Sequence, residues 1–177
     1  MFSFPLSVAG NGKLDSSVVR DPILESISKL QPRLKGDAKA RLARALRDVS
    51  HDNECQISWK VLIAVAFNES SLWVGKVNHK TKDHGLMQIN EKNILRMGLD
   101  RHRLKTDERY ALSAGCRILT DFKKGYAKKF PAWVGMYRAG VNLHKPAVVL
   151  SAQKYDTMIR KTVARVEMSG VQIARMK

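Results

Sequence analysis

Ser58-Trp59-Lys60-Val61-Leu62-Ile63-Ala64-Val65-Ala66-Phe67 is the most continuously apolar stretch of the chain, and it runs directly into Asn68-Glu69-Ser70-Ser71-Leu72. A surface helix carries one apolar and one polar stripe, whereas this stretch is apolar on nearly every face, which predicts a central buried helix. Trp59, Leu62, Ile63 and Ala66 fall on one side, and Ser58 stands where an N-cap belongs. Glu69 then lies at or near the C-terminal end of that helix. Partial desolvation and the negative end of the helix dipole both disfavour a carboxylate there, so its pKa is expected to rise. A carboxylic acid that keeps its proton near neutral pH is suited to protonating a leaving oxygen. The ordinary alternative for a lone Glu ending an apolar helix is an exposed cap or half of an ion pair.

A second run, Asp83-His84-Gly85-Leu86-Met87-Gln88-Ile89-Asn90, places Gly85 to Gln88 within fifteen to twenty residues of the acid, which suits a loop or short hairpin folding back over a cleft. Gly85 permits a tight bend or a close backbone approach, Leu86 and Met87 supply core contacts, and Gln88 and Asn90 offer amide groups to a polar ligand. A third run, Phe130-Pro131-Ala132-Trp133-Val134-Gly135-Met136-Tyr137-Arg138-Ala139-Gly140, reads as a short helix with Pro131 near its first turn and Gly140 as its stop. Trp133 and Tyr137 are four apart, so core aromatics are the competing explanation for that run.

Together the three runs resemble the soluble lytic transglycosylase family, especially its small single-domain branch found in bacteriophage and in secretion-system muramidases. The resemblance covers roughly Ile57 to Tyr155. It implies a mostly α, lysozyme-like (transglycosylase SLT-type) domain with at most a small β-hairpin, placed between Lys76 and Asn90. It also implies cleavage of the β-linkage between N-acetylmuramic acid and N-acetylglucosamine in peptidoglycan glycan strands. By that resemblance Glu69 acts first as acid and then as base. The substrate's own N-acetyl group or hydroxyl is the internal nucleophile, giving an anhydro-muramic product without water. Ser70, Gln88 and Tyr137 are the expected partners of acid or substrate, and Gly85, Leu86 and Met87 the residues shaping the cleft. Tyr137, Ala139 and Gly140 match the family's Tyr-Asn-Ala-Gly run, but Arg138 stands where the family usually has Asn.

Asp83 leaves the mechanism open. Its run is also similar to the animal-type lysozyme string Asp-Tyr-Gly-Ile-Leu-Gln-Ile-Asn, whose Asp is the second carboxylate of a hydrolysis. Asp83 is therefore either a second carboxylate or a loop residue bracing its turn. No cofactor is expected, and no metal: His79 and His84 lie close together without a Cys partner or an H-E-x-x-H pattern.

The remainder of the 177 residues sets bounds. The expected organisation is a loose arm over 1–20, helices packing on the core over 21–55, a catalytic domain over 56–166 and a tail over 167–177. Asp21-Pro22 starts a helix to about Leu30, and Asp37 caps another to about Ser50 with Leu42, Leu46 and Val49 as its stripe. Glu91 to Met97 forms a short helix stopped by Gly98. Thr106-Asp107-Glu108 opens a helix to about Lys124, and Pro146 starts the last, through Tyr155, Ile159 and Val163. Cys55 and Cys116 are expected to be two separate buried thiols, because Met1-Phe2-Ser3-Phe4-Pro5-Leu6 does not look secretory. No run approaches a membrane span. That combination fits carriage in a phage virion, or a host-cytoplasmic pool released through a holed membrane, with the periplasmic cell wall as the place of action.

Lys and Arg number 32 against 16 acids, a formal charge of +16. Such a field attracts polyanions of many kinds. Anionic envelope polymers suit it, as do virion proteins and nucleic acid. A basic virion or DNA-associated binding protein without catalysis is thus the alternative from another class, although the basic clusters lack interleaved stacking aromatics.

Overall fold

The computed structural model describes residues 21–174. The expected arm over 1–20 lies outside the described residues. Asp21 opens α1 (Pro22–Leu30) by accepting the Ile23 N–H at 3.0 Å, and Pro22 fits the first turn because no partner is needed there. Helix α2 (Gly36–Ser50) begins one residue before Asp37. That carboxylate therefore sits inside the first turn, where it pairs with Arg41 at 3.0 Å instead of capping. Ile23, Ile27 and Leu30 of α1 and Leu42, Leu46 and Val49 of α2 bury their stripes in one shared core.

Helix α3 (Trp59–Ser70) runs through that core, against α1, α2 and two later helices, α6 (Glu108–Tyr126) and α8 (Pro146–Ala174). Leu62, Ile63, Ala64, Val65 and Ala66 are wholly buried, as an all-round apolar helix requires. Ser58 holds the cap position without a side-chain bond, its carbonyl accepting the Val61 and Leu62 N–H groups instead. The helix ends on two consecutive left-handed residues, Ser71 (φ 55°) and Leu72 (φ 63°), with the Ser71 N–H on the Phe67 carbonyl at 2.8 Å.

A three-stranded antiparallel meander follows, where at most a hairpin was expected. Strand β1 (Val77–Asn78) pairs with β2 (Asp83–His84), and β2 with β3 (Ile89–Asn90). Asp83 lies opposite both Asn78 and Asn90. The turn joining β2 to β3 needs Gly85. Its φ is +77°, and a Cβ there would stand 1.9 Å from the Leu104 carbonyl oxygen.

Helix α4 (Glu91–Met97) is capped by Asn90 and closed by Gly98. Then comes a helix without an expectation, α5 (Arg101–Thr106), capped by Asp100 and burying Leu104. Helix α6 (Glu108–Tyr126) outruns its expected end and passes through Gly125. Cys116 on α6 forms a disulfide with Cys55, their Cα atoms 5.7 Å apart. The expectation of separate thiols is thus overturned. The loop between α2 and α3 is folded onto α6, and that proximity is invisible across a separation of 61 residues.

The third run forms a 3-10 turn (Trp133–Gly135) continuing into α7 (Met136–Ala139), which stops at Gly140. Gly135 is required by packing: a Cβ there would meet the Ala152 carbonyl oxygen at 1.8 Å. Its partner helix α8 (Pro146–Ala174) continues through residues 167–174, so that part of the expected tail is helical. Among the described residues no helix is long and apolar enough to cross a membrane.

Candidate active site

Glu69 occupies the last turn of α3, one residue before the helix ends. Its carboxyl is mostly buried, and burial is the largest influence on it, pushing its pKa above the ordinary Glu value; the negative charge of Asp83 acts in the same direction. A hydrogen bond from Tyr155 and the charges of Arg138 and Lys76 oppose that rise without cancelling it.

Tyr155, on α8, donates its hydroxyl to Glu69 Oε1 at 2.5 Å. The ring is 3 % exposed, and burial together with the Glu69 charge raises its pKa far enough to keep the phenol protonated. Tyr155 is therefore a fixed donor. It was expected only as part of the apolar stripe of the last helix. The available clue was a general one: a buried tyrosine needs a partner for its hydroxyl.

Lys76 joins the acid to the sheet. Its ammonium donates to the Glu69 main-chain carbonyl at 2.5 Å, satisfying one of the acceptors left open at the end of α3. Its own carbonyl accepts the Gly85 N–H at 2.8 Å and Gln88 Nε2 at 3.2 Å. Gln88 Nε2 also donates to the Gly85 carbonyl at 2.8 Å. The amide thus holds its own turn, while the side chain still lines the cavity beside Glu69.

That cavity has a volume of about 380 Å³, and Glu69, Asp83, Gln88, Tyr137 and Arg138 share its wall. Asp83 accepts from Thr81 Oγ1 at 2.5 Å, so it braces its turn and faces the cavity as well. Tyr137 also lines the cavity, but its hydroxyl donates to the Met87 carbonyl at 2.8 Å and not to the acid. Burial and the Glu69 charge raise its pKa too, so it stays a donor. The link pins the Gly85–Gln88 turn to α7.

Four expected site residues, Ser70, Gly85, Leu86 and Met87, stand back from the cavity, Gly85 being buried in its turn against Leu104. Ser70 is buried and donates to the Ala66 carbonyl at 2.9 Å, because the residue after Glu69 turns about 100° around the helix into the core. Leu86 and Met87 are wholly buried, and they position the turn from beneath without reaching the cavity. Asn68 was not singled out, yet it lines the cavity, its amide donating to the Ala64 carbonyl at 2.7 Å and to Thr162 Oγ1 at 3.0 Å.

The chain matches the family described as Transglycosylase SLT domain over residues 50–157, a span that holds all three motifs and ends just beyond Tyr155. It belongs to that family. The fold is accordingly lysozyme-like, and lytic transglycosylase chemistry on peptidoglycan is the activity that membership supports. Neither the curated proteins nor the solved structures give a match.

Proposed function

We propose that this SLT-domain chain cleaves the β-1,4 bond between N-acetylmuramic acid and N-acetylglucosamine as a lytic transglycosylase, with Glu69 as its acid and base. The observation that carries this is a mostly buried carboxyl whose pKa burial raises, bonded by Tyr155, on the wall of a polar cavity sized for sugar groups. Glu69 gives its proton to the glycosidic oxygen, and the bond to C1 of the muramic residue breaks. The now ionised carboxylate takes a proton from that residue's own hydroxyl as its oxygen closes on C1, so the anhydro ring forms and Glu69 is restored. No water enters the balance. Ionisation of Glu69 strengthens the Tyr155 bond at the moment charge develops.

Asp83 supports a second reading, lysozyme-type hydrolysis, because it lines the same cavity and its charge acts on Glu69. Mass spectrometry of digested sacculi separates the two. Anhydro-muramic ends are expected; reducing ends would make Asp83 the second carboxylate. Zymography tests the role of Glu69: wild type should clear murein and Glu69→Gln should not. Clearing by both removes Glu69 as the acid, and clearing by neither favours the basic binding protein.

The place of action we infer is the cell wall outside the cytoplasmic membrane. The Cys55–Cys116 bond supports it, since disulfides persist in oxidising compartments. The small single-domain resemblance supports a phage-type enzyme for wall penetration or host lysis, tested by mass spectrometry of purified particles.

A further inference from the structure

A second cavity, of about 430 Å³, lies against the outer side of Tyr155, between α7 and the start of α8. Arg138 and Tyr155 tie it to the acid: Arg138 lines both cavities, and Tyr155 lines this one while its hydroxyl reaches Glu69. A ligand seated beside Glu69 therefore has a neighbouring space into which a branch can extend.

The two spaces differ in charge. The first holds Glu69 and Asp83 with Lys76 and Arg138; the second is lined by two cations, Arg138 and Lys154, and by no acid. The rest of its lining is mainly apolar, from Ala147, Leu150 and Met158, with Leu150 half exposed to water at 52 %. Covering that leucine is favourable, and the paired cations call for a carboxylate at the far end. Where the muramic lactyl carboxyl is amide-linked to its stem the sugars carry no net charge, whereas the stem peptide combines small apolar residues with carboxylates.

We propose that this cavity binds the stem peptide of the murein strand, with Lys154 and Arg138 on its carboxylates and Leu150 under its apolar residues. Arg138, standing where the family usually has Asn, then makes the enzyme selective for peptide-bearing glycan over bare glycan. The inference rests on the murein reading above, and a binding measurement keeps the two separable.

In a Glu69→Gln background, which stops turnover under that reading, calorimetry is run with soluble glycan fragments bearing stem peptides and with the same fragments stripped by an amidase and recapped at the freed lactyl carboxyl as a simple amide. The expected result is roughly tenfold tighter binding of the peptide-bearing fragment, the scale of one charge-assisted contact. Lys154→Glu, an exposed change on α8, should abolish the difference and leave affinity for the stripped fragment unchanged, while Lys154→Arg should keep it. Equal affinities for the two fragments, a preference that survives Lys154→Glu, or equally strong competition by inorganic phosphate would each overturn the proposal. Failure of wild type to cleave peptide-bearing strands, alongside stem-dependent binding, would instead count against the catalytic reading and leave this one standing.

Discussion

Tyr155→Phe removes a single hydroxyl from the wall of the cleft, the one that donates to Glu69 Oε1 at 2.5 Å. A hydrogen bond between neutral groups is worth about 0.5–1.5 kcal/mol net and one to a charged group about 1.5–3 kcal/mol. The Tyr155 bond therefore strengthens by about 1 kcal/mol as Glu69 gives up its proton, and that increment belongs to the transition state. Its loss should lower kcat about fivefold to tenfold. The same bond lowers the pKa of Glu69, so without it burial and Asp83 act less opposed and the acid holds its proton to higher pH. The alkaline limb of the kcat/KM profile should then move to higher pH. The assay is release of soluble fragments from purified sacculi across a pH series, with a thermal melt of each protein to separate lost packing from lost chemistry. Tyr155 is 3 % exposed and Phe fills nearly the same space, so a folded variant is expected. Unchanged kcat with an unmoved limb, or a limb moving to lower pH, would refute the role given to this hydroxyl.

Glu69→Gln should raise stability at neutral pH. Burial lifts the folded pKa of Glu69 above its ordinary 4.5, so stability is full below that value and is lost as pH rises through the folded one. A gain of about 0.5–2 kcal/mol is expected near pH 7, vanishing in acid, and a lower melting temperature at pH 7 would contradict it. Replacing Cys55 and Cys116 by Ser opens a link across 61 residues, and loop entropy puts the loss at about 4 kcal/mol, or a fall in Tm on the order of 10 °C. If reductant leaves the Tm of the wild type within about 2 °C, the bond is not a stabilising element. Gly135→Ala drives a methyl to within 1.8 Å of the Ala152 carbonyl oxygen, and denaturant titration should show a loss of about 3 kcal/mol; a change inside about 0.5 kcal/mol would mean the two segments separate freely.

The position and burial of the Glu69 carboxyl were legible because they follow from one local property, an all-round apolar helix that ends just after that residue. Its partners were not. Tyr155 lies 86 residues away, and its place on an apolar stripe announces burial without saying where the hydroxyl goes. Ser70 misled by adjacency: neighbours in sequence face different ways on a helix, so the residue beside the acid points into the core. Leu86 and Met87 were read correctly as core contacts, but their burial makes them supports of the turn and not its cleft surface. Helix α5 left little signal, since a six-residue helix that buries only Leu104 has no periodicity to detect. For the disulfide, compartment was weighed and distance was unknowable, and distance decided it.

Under the proposed reaction one carboxyl, that of Glu69, serves twice. A group that first gives a proton and then takes one needs neither form to be favoured overwhelmingly. At Glu69 burial and Asp83 favour the acid, while Tyr155, Arg138 and Lys76 favour the carboxylate. A glycan strand that covers the cavity displaces water, which deepens the burial and also strengthens the action of Tyr155, Asp83 and the two cations on the group. Tyr155 and the two cations then stabilise the carboxylate that donation leaves behind. Arg138 belongs to that second half of the cycle as well as to the neighbouring cavity. Its replacement by a neutral residue therefore bears on both the Glu69 titration and the fit of whatever the second cavity holds.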